Sequence, residues 1–232
     1  MPGPLALAIW SVGIVLEIAF VVCSIARRSF FQYLFLNAYF LLGLGSDATR
    51  YYYLLKYGQS SDGYRYAYFY TDVLLTLTLY VALISLYSRV FSELRLSNYV
   101  RLGAVLLLAG TALFSYAVLV QSEDRLATTT FAYELSQNLY FVGLVLTYIL
   151  WGAVLKLRET RTRLVQFILA LGVYFSGYAA SYALVNLANK YSIVSFISPA
   201  FGCLLPLALT VTMWRYTEES RLEPARLLAV AR

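Results

Sequence analysis

The chain has 232 residues, of which 61% are hydrophobic and 13% charged, and its formal net charge is +6. A water-soluble domain of this length does not carry so apolar a composition, so we expect the bilayer to be its solvent. Spanning a hydrocarbon core of about 30 Å takes roughly 20 helical residues. Seven such spans use most of the chain and leave only short loops and tails.

Seven apolar stretches, each long enough for a membrane helix, follow one another almost without interruption. Their continuous apolar character excludes the roughly ten alternating residues of a membrane β-strand. We therefore predict an all-α, polytopic seven-helix bundle over residues 1–217, followed by a short cytoplasmic tail over 218–232. The predicted spans are Leu5–Ala26, Phe30–Tyr57, Tyr66–Val90, Val100–Val120, Thr128–Leu155, Leu164–Leu187 and Val194–Tyr216.

The basic residues between these spans predict the orientation. Thirteen Lys and Arg residues fall after spans one, three and five or at the C-terminal end, and four fall on the opposite side. The positive-inside rule then places the N-terminus outside and the C-terminus in the cytoplasm, in the cell (inner) membrane. The net charge reflects topology and attraction to anionic headgroups, so the bilayer is the expected partner and nucleic acid is not.

Spans one to three and five to seven share an orientation, which fits a parallel 3+1+3 repeat around span four. Two pairs of similar segments favour it: residues 11–16 resemble 141–146, and Gln32 with Gly43 matches Gln166 with Gly177. Apolar segments also resemble one another by chance, so both explanations stay open.

Span three is aromatic before Asp72 and apolar after it, from Tyr66 to Tyr87. In this pattern it resembles a helix of uncharacterised bacterial seven-helix integral membrane proteins. The resemblance covers little more than one span and brings no known function with it.

Four charged residues share one depth within the predicted spans. At 1.5 Å per residue, each lies roughly 9 to 15 Å below the outer boundary. An ionised group facing lipid there is costly, so we expect all four to point into the bundle. These residues are Asp47, Arg50, Asp72 and Glu134.

One arginine against three carboxylates leaves excess negative charge in a medium of low dielectric constant. Either some carboxyls hold protons or the layer binds a cation. Asn138, one turn deeper than Glu134, adds a neutral hydrogen-bonding group. The alternative is a structural network in which Arg50 pairs with an aspartate, since Asp47 lies three residues before it on the same helix.

Glu17 lies near the middle of span one, where no basic residue shares its depth. We expect it either to be protonated and hydrogen-bonded, with Thr76 or Thr78 as donors, or to be one step of a proton or cation path.

The chain contains no histidine. This excludes His-ligated haem, His-containing zinc sites and a Ser-His-Asp triad, so we expect no metal, no cofactor and no enzymatic activity. Span seven has no lysine for the Schiff base of a retinal opsin. An enzyme that acts on lipid through carboxylates is the least favoured function, because no nucleophile accompanies them.

Tyrosine is abundant, with 22 residues, eight of which surround the loop between spans two and three. An aromatic belt at the membrane interface explains most of them, and lining of an outward vestibule is the alternative.

Two functions remain. The favoured one is binding of a small ligand or cation from the outer face, as a carrier or a sensor. The alternative is a non-catalytic structural subunit of a larger membrane complex, with other membrane proteins as partners.

Overall fold

The computed structural model describes residues 4–58, 60–91, 97–120, 127–156, 161–188 and 191–217. The all-α prediction is confirmed for these residues, while the predicted tail over 218–232 lies outside them. They form seven helices: α1 (Pro4–Ala26), α2 (Leu34–Tyr57), α3 (Asp62–Val90), α4 (Ser97–Val120), α5 (Ala127–Lys156), α6 (Thr162–Ala188) and α7 (Tyr191–Arg215).

Two helices, α2 and α3, begin four residues away from their predicted starts, and the others begin within three residues of theirs. The helix α2 begins at Leu34 and not at Phe30, because the chain turns after α1 with Arg28 at a φ of 53°. The helix α3 begins earlier than predicted, at Asp62, because Ser61 caps it by accepting a hydrogen bond of 3.2 Å from the Tyr64 amide. Such a cap satisfies an amide that has no partner within the helix.

Four of the described helices are long and apolar enough to cross a membrane: α1, α3, α5 and α6. The described parts of α4 and α7 contain shorter apolar stretches, Leu106–Ala117 and Ala200–Arg215. The helix α2 carries Asp47, Arg50 and Lys56, which lower its mean hydropathy. The chain is therefore a helical membrane protein.

Six helices pack as a closed ring in the order α1, α2, α3, α5, α6, α7, with α7 returning to α1. The helix α4 packs on the outside of this ring, against α5 and α3. Glycine permits close approach between neighbouring helices at two places. A Cβ atom on Gly143 would lie 2.3 Å from the Phe175 ring, and one on Gly177 would lie 2.4 Å from the Phe201 ring. Small residues at helix contacts are typical of membrane bundles.

An aromatic layer fills the ring one turn below Glu17. It consists of Phe20, Phe40 and Phe167, which are fully buried. The ring centroid of Phe20 lies 4.7 Å from that of Phe40 and 6.5 Å from that of Phe167. This layer separates the upper part of the ring interior from the end at which α1 and α7 finish.

Arginines satisfy backbone carbonyls at that end of the bundle. Arg27 donates to the Trp214 carbonyl at 2.5 Å, and Arg163 donates to the Tyr216 carbonyl at 3.0 Å and to the Ser29 hydroxyl at 3.0 Å. The final carbonyls of a helix lack partners within the helix and carry partial negative charge. Arginine at this position therefore stabilises the end of α7 and ties it to α1 and α6.

Candidate functional site

The ring of six helices encloses a cavity of about 470 Å³. It extends along α1 from Leu7 to Glu17, a depth of about 15 Å at the rise of an α-helix. All six ring helices contribute lining residues, and among the described residues α4 contributes none. Three acidic side chains and one basic side chain line it: Glu17, Asp47, Asp72 and Arg50.

The helical repeat places these residues on the inner faces of their helices. On α2 the lining residues Gly43, Asp47, Arg50 and Leu54 follow at intervals of four, three and four. The same spacing carries Trp10, Gly13 and Glu17 on α1. Residues three and four apart share one face of an α-helix, so each helix presents one stripe to the cavity.

Tyrosine is the commonest residue in the remaining wall. The helix α6 supplies a stripe at four-residue spacing, and α5 adds two rings seven residues apart. The lining tyrosines are Tyr39, Tyr64, Tyr68, Tyr133, Tyr140, Tyr174, Tyr178 and Tyr182.

Arg50 is held against α3. Its Nε donates to the Thr71 hydroxyl at 2.8 Å, and its Nη2 donates to the Tyr68 carbonyl at 3.3 Å. The guanidinium carbon lies 4.5 Å from the centroid of the Tyr68 ring, a cation–π contact. Among the described residues it forms no ion pair within 4.0 Å with Asp47 or Asp72, although both act on it electrostatically. The direct Asp47–Arg50 pair that the sequence allowed is therefore absent from this arrangement.

Glu17 belongs to the same cavity as the aspartates. Its carboxyl packs on Gly43 of α2, where a Cβ atom would lie 3.0 Å from Oε2 and 3.2 Å from Oε1. Oε2 is buried and has no hydrogen-bond partner among the described residues. Asp47 lies within electrostatic range of Glu17.

The expected threonine donors to Glu17 are engaged elsewhere. Thr76 donates to the Asp72 carbonyl and Thr78 to the Leu74 carbonyl, each at 2.8 Å within α3. Threonines in a membrane helix readily bond the carbonyl four residues earlier, which removes them as partners for a neighbouring helix.

Besides Arg50, each aspartate has one further polar neighbour. The indole of Trp10 on α1 lies beside the Asp47 carboxyl. The buried Ser136 hydroxyl of α5 lies beside the Asp72 carboxyl, but its distance and angle do not amount to a hydrogen bond. The acidic groups thus retain acceptor capacity toward the cavity.

Glu134 and Asn138 are not among the residues that line the cavity. They lie four apart on a face of α5 that turns toward α4, where the Asn138 amide donates to the buried Ser115 hydroxyl at 3.0 Å. The cavity face of α5 carries Tyr133 and Tyr140 instead. Of the six candidate residues from the sequence, the structure therefore brings four together.

The cavity can accept a positively charged group. With all four ionised, Glu17, Asp47 and Asp72 would outnumber Arg50 by two charges, and buried carboxylates need a proton or a cation to offset their loss of hydration. Within the described residues, no group of three or more His, Cys, Asp or Glu side chains converges as metal ligands would.

Comparisons with protein-family models, curated proteins and solved structures find no match to this chain.

Proposed function

We propose that this protein is a seven-span integral membrane protein, with its N-terminus outside and its C-terminus cytoplasmic, that binds a small ligand or cation from the outer face as a carrier or a sensor. The observation that carries the proposal is the cavity of about 470 Å³ that Glu17, Asp47, Arg50 and Asp72 line together. Its volume falls in the range of about 300 to 1,000 Å³ that is usual for small-molecule sites.

The position of the cavity supports entry from the outer face. Its lining reaches Leu54 and Tyr64, beside the turn that joins α2 to α3, which the loop charges assign to the outside. The aromatic layer of Phe20, Phe40 and Phe167 lies below Glu17. A carrier has to open this layer, whereas a sensor can keep it closed and relay the occupied state to a partner.

Ligand-induced stabilisation of the purified protein in lipid nanodiscs tests the proposal. We expect at least one cation among sodium, potassium, ammonium, tetramethylammonium and magnesium to raise the melting temperature, because a ligand that binds only the folded state adds about 2.7 kcal/mol at 100 times its Kd. Asp72→Asn should reduce this rise, because it removes a negative charge from the cavity.

Glu134→Gln is the matched control, since it removes the same charge from the α5 face outside the cavity. The proposal is contradicted if no cation stabilises the unaltered protein, or if both variants respond to cations equally. Uptake of the stabilising cation into proteoliposomes then separates the carrier from the sensor. Mass measurement after mild solubilisation tests the alternative role as a subunit, which requires a stable companion protein.

A further inference from the structure

The wall that α5 and α6 contribute to the cavity is a continuous aromatic surface. The rings of Tyr140 and Tyr178 stack with centroids 4.8 Å apart and an interplanar angle of 15°, and Tyr174 lies 4.6 Å from Tyr178. Tyr182 extends this surface, 5.6 Å from Tyr140 and 5.4 Å from Tyr133. Aromatic faces carry the negative end of the ring quadrupole, so a tyrosine of this wall attracts a cation through any ring face that its neighbours leave uncovered.

The acidic groups of the cavity belong to the other helices, α1, α2 and α3. They are spread over three helices, and the described residues contain no converging set of metal ligands. Calcium and magnesium need about six oxygen ligands at 2.0 to 2.6 Å, an arrangement that dispersed carboxyls do not supply. Dispersed carboxyls beside aromatic rings instead suit a larger cation whose charge is shared over several contacts.

Three further observations point to an organic cation. The Tyr68 ring already holds the Arg50 guanidinium at 4.5 Å within this cavity. The buried Oε2 of Glu17 has no hydrogen-bond partner among the described residues, so this atom can accept a hydrogen bond from a ligand or offset its positive charge. A cavity of about 470 Å³ is also far larger than a bare ion requires.

We propose that the ligand of this cavity is a small organic ammonium ion, with its charge balanced by Glu17, Asp47 and Asp72 and its methyl or methylene groups against the tyrosine wall. This inference rests on the proposed function and deepens it by naming the chemical class of the ligand. Tyrosine and carboxylate together are the groups that recognise alkylated ammonium ions elsewhere in proteins.

A pair of probes with the same shape separates charge from hydrophobic contact. Choline and 3,3-dimethylbutan-1-ol differ only in that a carbon atom replaces the charged nitrogen. Calorimetric titration of the unaltered protein in nanodiscs should show choline binding at least about tenfold more tightly, since the cation–π contacts and the counter-charges are lost with the neutral probe. Tetramethylammonium should compete with choline, and sodium at the same ionic strength should not.

Ring variants test the tyrosine wall. Tyr178→Phe keeps the aromatic face and should bind choline within about threefold of the unaltered protein, whereas Tyr178→Leu should weaken binding at least about tenfold. Tyr148→Leu is the control, because Tyr148 lies on α5 with 57% of its surface exposed and does not line the cavity. Comparison of the two probes on the unaltered protein does not depend on whether the leucine variant folds.

The outcomes also separate this inference from the proposed function. Equal binding of choline and its neutral analogue overturns the ammonium assignment. Stabilisation by sodium or potassium alone, lost in Asp72→Asn, overturns it as well but leaves a cation site in the cavity. If none of the probes binds, both proposals fail.

Discussion

Gly43 of α2 is the residue that allows the Glu17 carboxyl into the cavity. A Cβ atom there would lie 3.0 Å from Oε2, and the backbone of α2 leaves that atom no other position. Glycine in a helix interior ordinarily lowers stability by about 1 kcal/mol relative to alanine. Glycine at position 43 is therefore explained by close packing and not by helix propensity.

Alanine usually stabilises a helix relative to glycine, but we expect Gly43→Ala not to stabilise this protein. Gly45→Ala is the matched control, because a Cβ atom on Gly45 meets nothing within 4 Å. We expect Gly45→Ala to raise or maintain the melting temperature in nanodiscs, and Gly43→Ala to be destabilising relative to it, because the Glu17 carboxyl must move by a few tenths of an ångström to make room for the Cβ atom.

A double variant identifies the cause of that loss. In a Glu17→Ala background the carboxyl is gone, so Gly43→Ala should then behave as Gly45→Ala does. If Gly43→Ala remains destabilising without Glu17, the contact with the carboxyl is not the reason for the glycine.

Glu134 and Asp72 show that the depth of a residue along a helix does not determine which side of the helix it faces. Their common predicted depth follows from counting residues from the predicted span ends. Rotation about the helix axis could not be counted in the same way, because α5 has neighbours on several sides. Asn138, four residues after Glu134, bonds to α4, and this contact defines the face on which both residues lie.

At the level of elements, the helices themselves were predictable and the position of α4 was not. Continuous apolar runs of about 20 residues have one solution in lipid, since every backbone polar group must be satisfied within the segment. Which helices touch depends on side-chain packing between distant parts of the chain. Nothing in the residues of span four indicated that α4 lies outside the ring. The expectation that Glu134 faces the ring interior was wrong for the same reason, because Glu134 lies on the face of α5 that turns toward α4.

Some of the tyrosines near the turn between α2 and α3 fit an aromatic belt at the membrane interface, and others fit the lining of a vestibule. Tyr51, Tyr52 and Tyr57 are exposed, as expected for rings at a membrane interface, whereas Tyr64 and Tyr68 line the cavity. The α6 stripe of Tyr174, Tyr178 and Tyr182 was visible as a four-residue spacing. The small residues Gly172, Ser176 and Ala180 run along α6 at the same spacing, so spacing alone does not indicate which of the two stripes faces the cavity.

The repeat of two three-helix halves stays a prediction. The order of helices around the ring agrees with it, because α1–α2–α3 and α5–α6–α7 follow each other in the same sense. The glycines that suggested it have different surroundings. Gly43 of α2 packs on Glu17 of α1, whereas Gly177 of α6 packs on Phe201 of α7.

The contact between Asn138 and Ser115 is a polar link between α4 and the ring. We expect Ser115→Ala and Asn138→Leu each to lower stability, with a coupling free energy of about 0.6 kcal/mol in a double-mutant cycle, the average for hydrogen bonds between membrane helices. Unfolding of the four proteins in mixed micelles measures it.

Ser176→Ala is the control for this cycle, since the Ser176 hydroxyl donates within α6, to the Gly172 carbonyl at 2.7 Å. It should show no coupling with Asn138→Leu. Neither Ser115→Ala nor Asn138→Leu should alter cation binding, because both residues lie outside the cavity lining. A coupling of zero between Asn138 and Ser115 would contradict the link.

For the whole molecule, the decisive helix is α2, because its Asp47, Arg50 and Lys56 make it the least apolar of the predicted spans. If α2 crosses the membrane as proposed, the cavity accounts for its charged residues. Asp47 and Arg50 face the ring interior, and Lys56 lies in the last turn, where its amine reaches the Tyr52 hydroxyl at 3.1 Å. Charges that face a polar cavity or reach the interface cost far less than charges that face lipid.

The proposed crossing of α2 would place its two ends on opposite sides of the membrane. We expect Ser60→Cys, in the exposed turn after α2, to react with a membrane-impermeant maleimide in intact cells. Phe31→Cys, in the turn before α2 with 85% of its surface exposed, should react only after the membrane is permeabilised. Both variants belong in a Cys23→Ala, Cys203→Ala background, which removes the two native thiols.

The pattern of labelling at the two positions also distinguishes a reversed orientation of α2 from a helix that does not cross at all. Labelling of Phe31→Cys alone in intact cells would keep α2 as a span but reverse the orientation that the loop charges predict. Labelling of both positions would mean that α2 does not cross. In that case α1, which is apolar enough to cross on its own, would carry Glu17 into the membrane without α2 beside it. Asp47 and Arg50 would then not share a cavity with Glu17. The proposed site would lose the helix that contributes its central residues.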